Sequence, residues 1–273
     1  MDLGNLIRRL EHDSLVAIEW FESNYMKLNG DKCHFLIAGN KHEHLWVNVG
    51  GSQIWETQSE KILGVTIDNK LKFEEHIKSI LASAGKKLSA IARMSHILSF
   101  SNLRLLMKSF VDSQFSYCPL IWMFCSRSMN NRINKLQERT LRILYRDDIS
   151  SFEELLVRDN SITAHERNIK LLAKEMYKVK NDILPNALGE FITKRDFRYN
   201  LRNHATFTRD KANTTQYGTE SMNILGPKIW DIIPSEIKNA ETLDSFNVNI
   251  KNWKVENCPR RLCKTFVVGL GFV

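Results

Sequence analysis

The sequence is short of most features that would settle its class at once. Its 273 residues hold 5 cysteines, 5 prolines and 12 glycines. Twelve glycines and five prolines exclude a collagen-like or low-complexity chain. Five scattered cysteines are too few for a disulfide scaffold, and their odd number fits a reducing compartment. No apolar run reaches the roughly 18–20 residues of a membrane helix, so no membrane partner is expected. The first residues carry Asp2, Arg8, Arg9 and Glu11 among their apolar positions, unlike a signal peptide. The expected location is intracellular, nuclear or cytoplasmic. There is no Gly-rich phosphate loop, no Gly-x-Ser-x-Gly and no Cys/His pair in a nucleophile's context, so no small-molecule substrate is expected.

What is present is charge, unevenly placed. The formal net charge is +8, with 39 Lys and Arg against 31 Asp and Glu. Residues 1–69 have a net of −4, residues 70–146 a net of +10, and residues 147–273 a net of +2. Concentration in one central block favours a polyanionic partner. The same block also reads as a solvated helical surface.

The apolar spacing predicts a helix over 3–26, ended by Asn29-Gly30-Asp31. Short apolar runs at 33–38, 45–49 and 61–68 read as strands of one small antiparallel sheet. The period then lengthens to that of a helix. Ile77, Ile80, Leu81, Ala84, Leu88, Ile91 and Met94 define one side of a helix over 74–94, and Lys78, Lys86 and Arg93 the other. A second helix fits 101–114, with Ser101 or Asn102 as its cap. Residues 115–125 are the most apolar stretch and should be buried, broken at Pro119. A third helix, capped by Ser128, should run to Arg146. Its Arg132, Lys135, Arg139, Arg142 and Arg146 share one stripe. Five cations in a row repel one another, and a partner that neutralises them offsets that cost. A solvated face snorkelling over the core is the alternative. Ser151/Glu154 and Thr163/Glu166 look like capping boxes, the second helix ending near Asn181. Residues 186–216 read as linker. Leu243, Phe246, Ile250 and Trp253 suggest a last helix. The fold class is α+β, mostly α.

Three groups invite a chemical reading. Tyr145-Arg146-Asp147-Asp148 has the form of a two-metal carboxylate turn, which needs a hairpin; here it ends a helical segment. Cys33, His34, His42 and His44 match no common zinc spacing. Cys258 and Cys263 are one pair without a second, so they read as structural or unpaired thiols rather than a complete metal site. No metal site and no catalytic residue is assigned.

The order of segments nonetheless resembles non-LTR (LINE-type, jockey-like) retrotransposon reverse transcriptases. Residues 24–35, with Leu28-Asn29 and Lys32, resemble motif D. Residues 61–68, with Leu63-Gly64 and Asp68, resemble motif E, the primer grip. Tyr117 to Trp122 and Lys135 to Arg139 match wording that follows in that family. Tyr217-Gly-x-x-Ser221, Gly226-Pro-x-x-Trp230, Leu243-x-x-Phe246 and Lys251-x-Trp253 are similar to its C-terminal tail. Gly30 stands where the family often has Pro, and Arg260 replaces the middle Cys of its Cys-rich ending.

The resemblance implies a partial palm at 1–69, with a small antiparallel palm-edge sheet. It implies a helical thumb-like bundle at 70–185 and a linker and tail at 186–273. It also implies a truncated, mobile-element polymerase whose catalytic carboxylates lie upstream of motif D, with no counterpart before Trp20. The complete enzyme uses magnesium; this portion would need no cofactor. The implied partner is an RNA or DNA template–primer duplex, tracked through its phosphates by Lys78, Lys86, Arg93 and the 132–146 stripe. Leu63, Gly64 and Val65 would approach the primer end. Lys32 would act as a cation near the leaving pyrophosphate, or be a plain turn cation. A non-enzymatic helical interaction module, and a domesticated nucleic-acid module, are the other readings.

Overall fold

The computed structural model describes residues 3–39, 45–185, 192, 194, 206–208, 211, 214, 218, 220–255, 258 and 259. His42, His44, Tyr217, Arg260, Cys263 and most of 186–216 lie outside them. The fold is α+β and mostly helical. Contacts divide the chain into two units, Met1–Ser79 and Ile80–Val273.

In the first unit, helix α1 (Leu3–Ser23) has no buried residue. Its Ile18 side chain comes close to Gly50, and Glu11 Oε1 accepts from the Asn48 amide at 2.9 Å. A 3-10 turn (Gly30–Lys32) follows, capped by Asn29, whose side chain accepts from the Asp31 amide. Strands β1 (Trp46–Val49) and β2 (Ser52–Trp55) form one hairpin, and β3 (Ser59–Ile62) and β4 (Val65–Asp68) another. Each closes on a two-residue loop with positive φ: Gly50 at 59° and Gly51 at 82°, then Leu63 at 48° and Gly64 at 86°. Such loops match the twist of a tight hairpin.

This corrects the expected single sheet. The 61–68 run is not one strand, because Leu63-Gly64 turns the chain back on itself. Residues 33–38 contribute only an isolated bridge between Phe35 and Glu56. β2 escapes the sequence reading because only two of its four residues are apolar.

The second hairpin ends on a polar knot. Asp68 Oδ1 accepts from the amides of Lys70 and Lys72, and its Oδ2 from that of Phe73 at 2.6 Å. One carboxylate thus satisfies three amides in a turn where Leu71 and Phe73 both have positive φ. Helix α2 (Glu74–Met94) follows, over the expected span.

In the second unit, α3 (Phe100–Phe110) is capped by Ser99, two or three residues before the expected Ser101 or Asn102. Its expected last residues instead form a 3-10 turn, Asp112–Phe115. Pro119 does not break a helix; it opens the single turn α4 (Pro119–Trp122), where its missing N–H is harmless. Within the apolar run, Phe115, Trp122, Met123 and Cys125 are buried, while Tyr117 and Ile121 are about half exposed. α5 (Arg127–Tyr145) is capped by Ser126, not Ser128, and stops at Arg146, which adopts the left-handed conformation. α6 (Phe152–Asp159) opens on a complete Ser151/Glu154 capping box. α7 (Ala164–Lys180) is capped by Thr163, but Glu166 pairs with Lys170 at 3.3 Å.

The last helices among the described residues are α8 (Met222–Ile232), α9 (Ser235–Lys238) and α10 (Leu243–Asn252). Ile169, Leu172, Ala173 and Met176 of α7 share one core with Ile229 and Trp230 of α8 and Phe246 and Ile250 of α10. Tyr177 stacks on Phe246 at 4.4 Å, and its hydroxyl donates to Ala240 O. Gly226 lets α8 approach: a Cβ there would stand 2.6 Å from Met176 Sδ. Among the described residues, no helix is long and apolar enough to cross a membrane.

Candidate nucleic-acid interface

Helix α5 is sided by its sequence. Met129, Asn130, Ile133, Thr140, Leu141 and Leu144 are buried. Arg132, Lys135 and Arg139 fall on the opposite side and are exposed. None of the three makes an ion pair among the described residues; Arg132 Nη1 has only a 4.0 Å contact to Met129 Sδ. At about 1.5 Å of rise per residue they span about 10 Å of helix. The first turn adds Arg127, which lines an open groove of about 400 Å³ with Ser128, Asn131, Arg132 and Lys135. The sequence reading missed Arg127 because it lies off the stripe; its place in the first turn beside Arg132 was the only signal.

The other two members of the stripe are bonded to other groups of the chain. Arg142 donates from Nε and Nη2 to Glu138 Oε1, at 3.2 and 2.6 Å, and from Nη1 to Asp147 O. Glu138 sits four residues before Arg142, the spacing at which helical charges meet. Arg146 donates from Nη2 to Ser95 O at 3.0 Å, which ties the end of α5 to the residue just past α2. Of the expected five-cation row, Arg142 is ion-paired, Arg146 is exposed and bonded to a backbone carbonyl, and Arg132, Lys135 and Arg139 are exposed without an ion pair among the described residues.

On α2, Lys86 and Arg93 are exposed and make no ion pair among the described residues; Lys78, in the first unit, lies 3.9 Å from Glu74. The other first-unit candidates are placed as follows. Lys32 is exposed at the end of its 3-10 turn. Leu63 is 86% exposed at the hairpin tip beside Gly64, whereas Val65 is buried. The Val65 side chain thus belongs to the interior, and only the tip residues face outward.

One carboxylate of the 145–148 tetrad, Asp147, has structural work. Asp147 Oδ1 accepts from the amides of Ile149 and Ser150, and Oδ2 from Ser150 Oγ and Arg158 Nη1. The bonds from the Ser150 amide, the Ser150 hydroxyl and the Ile149 amide hold this carboxyl below its ordinary range. The tetrad ends a helix, as its setting predicts. Among the described residues, no three His, Cys, Asp or Glu side chains gather as metal ligands. His34 lies 3.2 Å from Glu60, and the buried Cys258 Sγ lies 3.8 Å from His165 Nε2.

Against known proteins, the chain is similar to the RNA-directed DNA polymerase from mobile element jockey of Drosophila melanogaster. Identity is 30% over 131 residues, 45% of this chain and 14% of that protein. The match supports a reverse-transcriptase-related region. No family model and no solved structure matches the chain.

Proposed function

We propose that this chain is the C-terminal portion of a non-LTR retrotransposon reverse transcriptase. In this reading its helical part is a thumb that binds a template–primer duplex through phosphates, and the chain alone does not polymerise. The observation that carries the reading is the exposed, unpaired row Arg132, Lys135 and Arg139, together with the similarity to the jockey polymerase. Contacts of this kind position a duplex without reading its sequence. With Lys86 and Arg93, five cations are available. By counterion release they give a log–log salt slope of about −3.5 to −4.5.

The test is duplex affinity over a range of salt. Reversing Arg132, Lys135 and Arg139 to Glu should flatten the slope by at least about 2. Arg142→Gln should change it far less than Arg139→Gln, because Arg142 already has Glu138. An unchanged slope in the triple variant sinks the phosphate-binding role. Nucleotide incorporation by the purified chain on a primed template overturns the claim that it does not polymerise.

A further inference from the structure

Beside the C-terminal end of α5 is an open groove of about 490 Å³. Leu98, the buried Leu103 and the buried Leu144 make it apolar, and Phe100 and Tyr145 add aromatic rings. Phe100 is 48% exposed, so its ring is available to a ligand. Tyr145 is already committed. Its ring lies 5.5 Å from that of Phe100, the Arg158 guanidinium covers it at 4.6 Å, and its hydroxyl donates to Asp159 Oδ1 at 3.0 Å. Arg146 and Arg158 complete the lining, and no carboxylate belongs to it.

Two properties single this groove out. It is preformed: Arg146 is fixed on Ser95 O, Arg158 on Asp147, and Tyr145 on Asp159. Side chains already ordered cost little further entropy on binding. It is also continuous with the cation row, since Arg146 is both the last member of the α5 stripe and part of the lining. Arg139 and Arg146 are seven residues apart, about 10 Å along the helix.

We propose that this groove seats an unpaired nucleobase of the strand whose phosphates run along α5, with Phe100 as the stacking surface. The proposal rests on the phosphate-binding reading above and adds a single-stranded component to it. Unstacked bases are taken up on aromatic side chains and arginine planes beside a positive track, which is the combination found here. Arg146, exposed and without an ion pair among the described residues, favours a polyanion over a neutral apolar peptide, and Arg158 is balanced by Asp147.

The experiment compares three labelled nucleic acids binding to the full chain. These are a blunt duplex, the same duplex with a short single-stranded extension at either end, and that extension made abasic. An extension should tighten binding about fivefold or more, and abasic sites should remove the gain. Phe100→Ala should also remove the gain and leave blunt-duplex affinity within about twofold. Because the abasic arm needs no protein variant, the outcome does not depend on that variant folding. Equal affinity for the extended and abasic probes overturns the base seat while leaving phosphate binding standing. Absence of any binding to the blunt duplex overturns both. Phe100→Ala that leaves every nucleic acid unaffected but abolishes capture of an acidic, leucine-rich peptide overturns the seat in favour of a protein partner.

Discussion

The two units of the chain bury their apolar residues in opposite measure. In the second, Ile169, Leu172, Ala173, Met176, Ile229, Phe246 and Ile250 have essentially no exposed surface. In the first, α1 has the periodicity of an amphipathic helix, yet Leu6, Leu10, Leu15, Val16 and Trp20 are 41–58% exposed. Trp46 and Trp55, cross-strand partners in the first hairpin, are about half exposed too. Periodicity tells which residues would share a face; only a closed set of partners turns that face into a core. The second unit has such a set, drawn from α7, α8 and α10. The first has two hairpins of four-residue strands, and an isolated hairpin is marginal in water. The stability of the chain should therefore be concentrated in the second unit.

The sharpest way to break that comparison is to truncate one large side chain in each unit. Trp230 is 1% exposed, its Nε1 donates to Thr206 Oγ1, and its ring stacks near Phe246. Trp230→Ala should cost about 3–5 kcal/mol and remove most of the cooperative loss of helix on denaturation. Leu15→Ala, on a 53% exposed position, should stay within about 0.5 kcal/mol. If both variants unfold with similar losses, α1 is better supported than its exposure implies.

A smaller effect is expected at Asp68. Asp68→Ala leaves three amides of the 70–73 turn without their acceptor, at a cost of about 1–3 kcal/mol. The loss should be local, raising amide exchange in β3 and β4 and not in α7. Asp68→Asn, which keeps one acceptor oxygen, should fall between the variant and the native chain. Loss of protection in α7 as well would mean that the units unfold together.

How legible these features are follows from their range. α2 was readable from sequence alone because its period is local and uninterrupted, and the Ser151/Glu154 box because it spans four residues. Ser99 and Ser126 were not separated from nearby Ser101 and Ser128, since several hydroxyls compete at each helix start and propensity does not choose among them. The hairpins were misread because Leu63 adopts a positive φ that its residue type does not announce. Of the candidate site, Arg132, Lys135 and Arg139 were visible as a stripe. The pairing of Arg142 with Glu138 is equally legible, since the two stand four residues apart on one helix. The bond from Arg146 to Ser95 joins residues 51 apart and has no sequence signal. The core that joins α7 to α8 and α10 is likewise long-range, and no local pattern announces it.

The finest distinction between the units is how each answers mild acid, because each holds a titratable group displaced in its own direction. In the first, His76 is buried, and its Nδ1 accepts from the Thr66 amide at 3.3 Å. Burial, and then Lys61, push its pKa below the ordinary 6.5. The unfolded chain therefore takes up a proton before the folded one does. The stabilisation tied to neutral His76 is present above about pH 6.5 and fades as the pH falls below it. In the second unit, burial pushes the Asp112 carboxyl above its ordinary 3.8, against the opposing pull of Arg167. Here the folded state takes the proton first. The cost of holding a buried carboxylate is present at neutral pH and disappears as the pH falls through the raised folded value toward 3.8. Amide exchange, corrected for its intrinsic pH dependence, should thus show protection around Thr66 declining below about pH 6.5. Protection in α3 and α7 should hold or rise until lower pH. His76→Leu should flatten the first trend and Asp112→Asn the second. Parallel decline in both units, unmoved by either substitution, would mean that neither group sets the local response and that acid acts through the net charge of the whole chain.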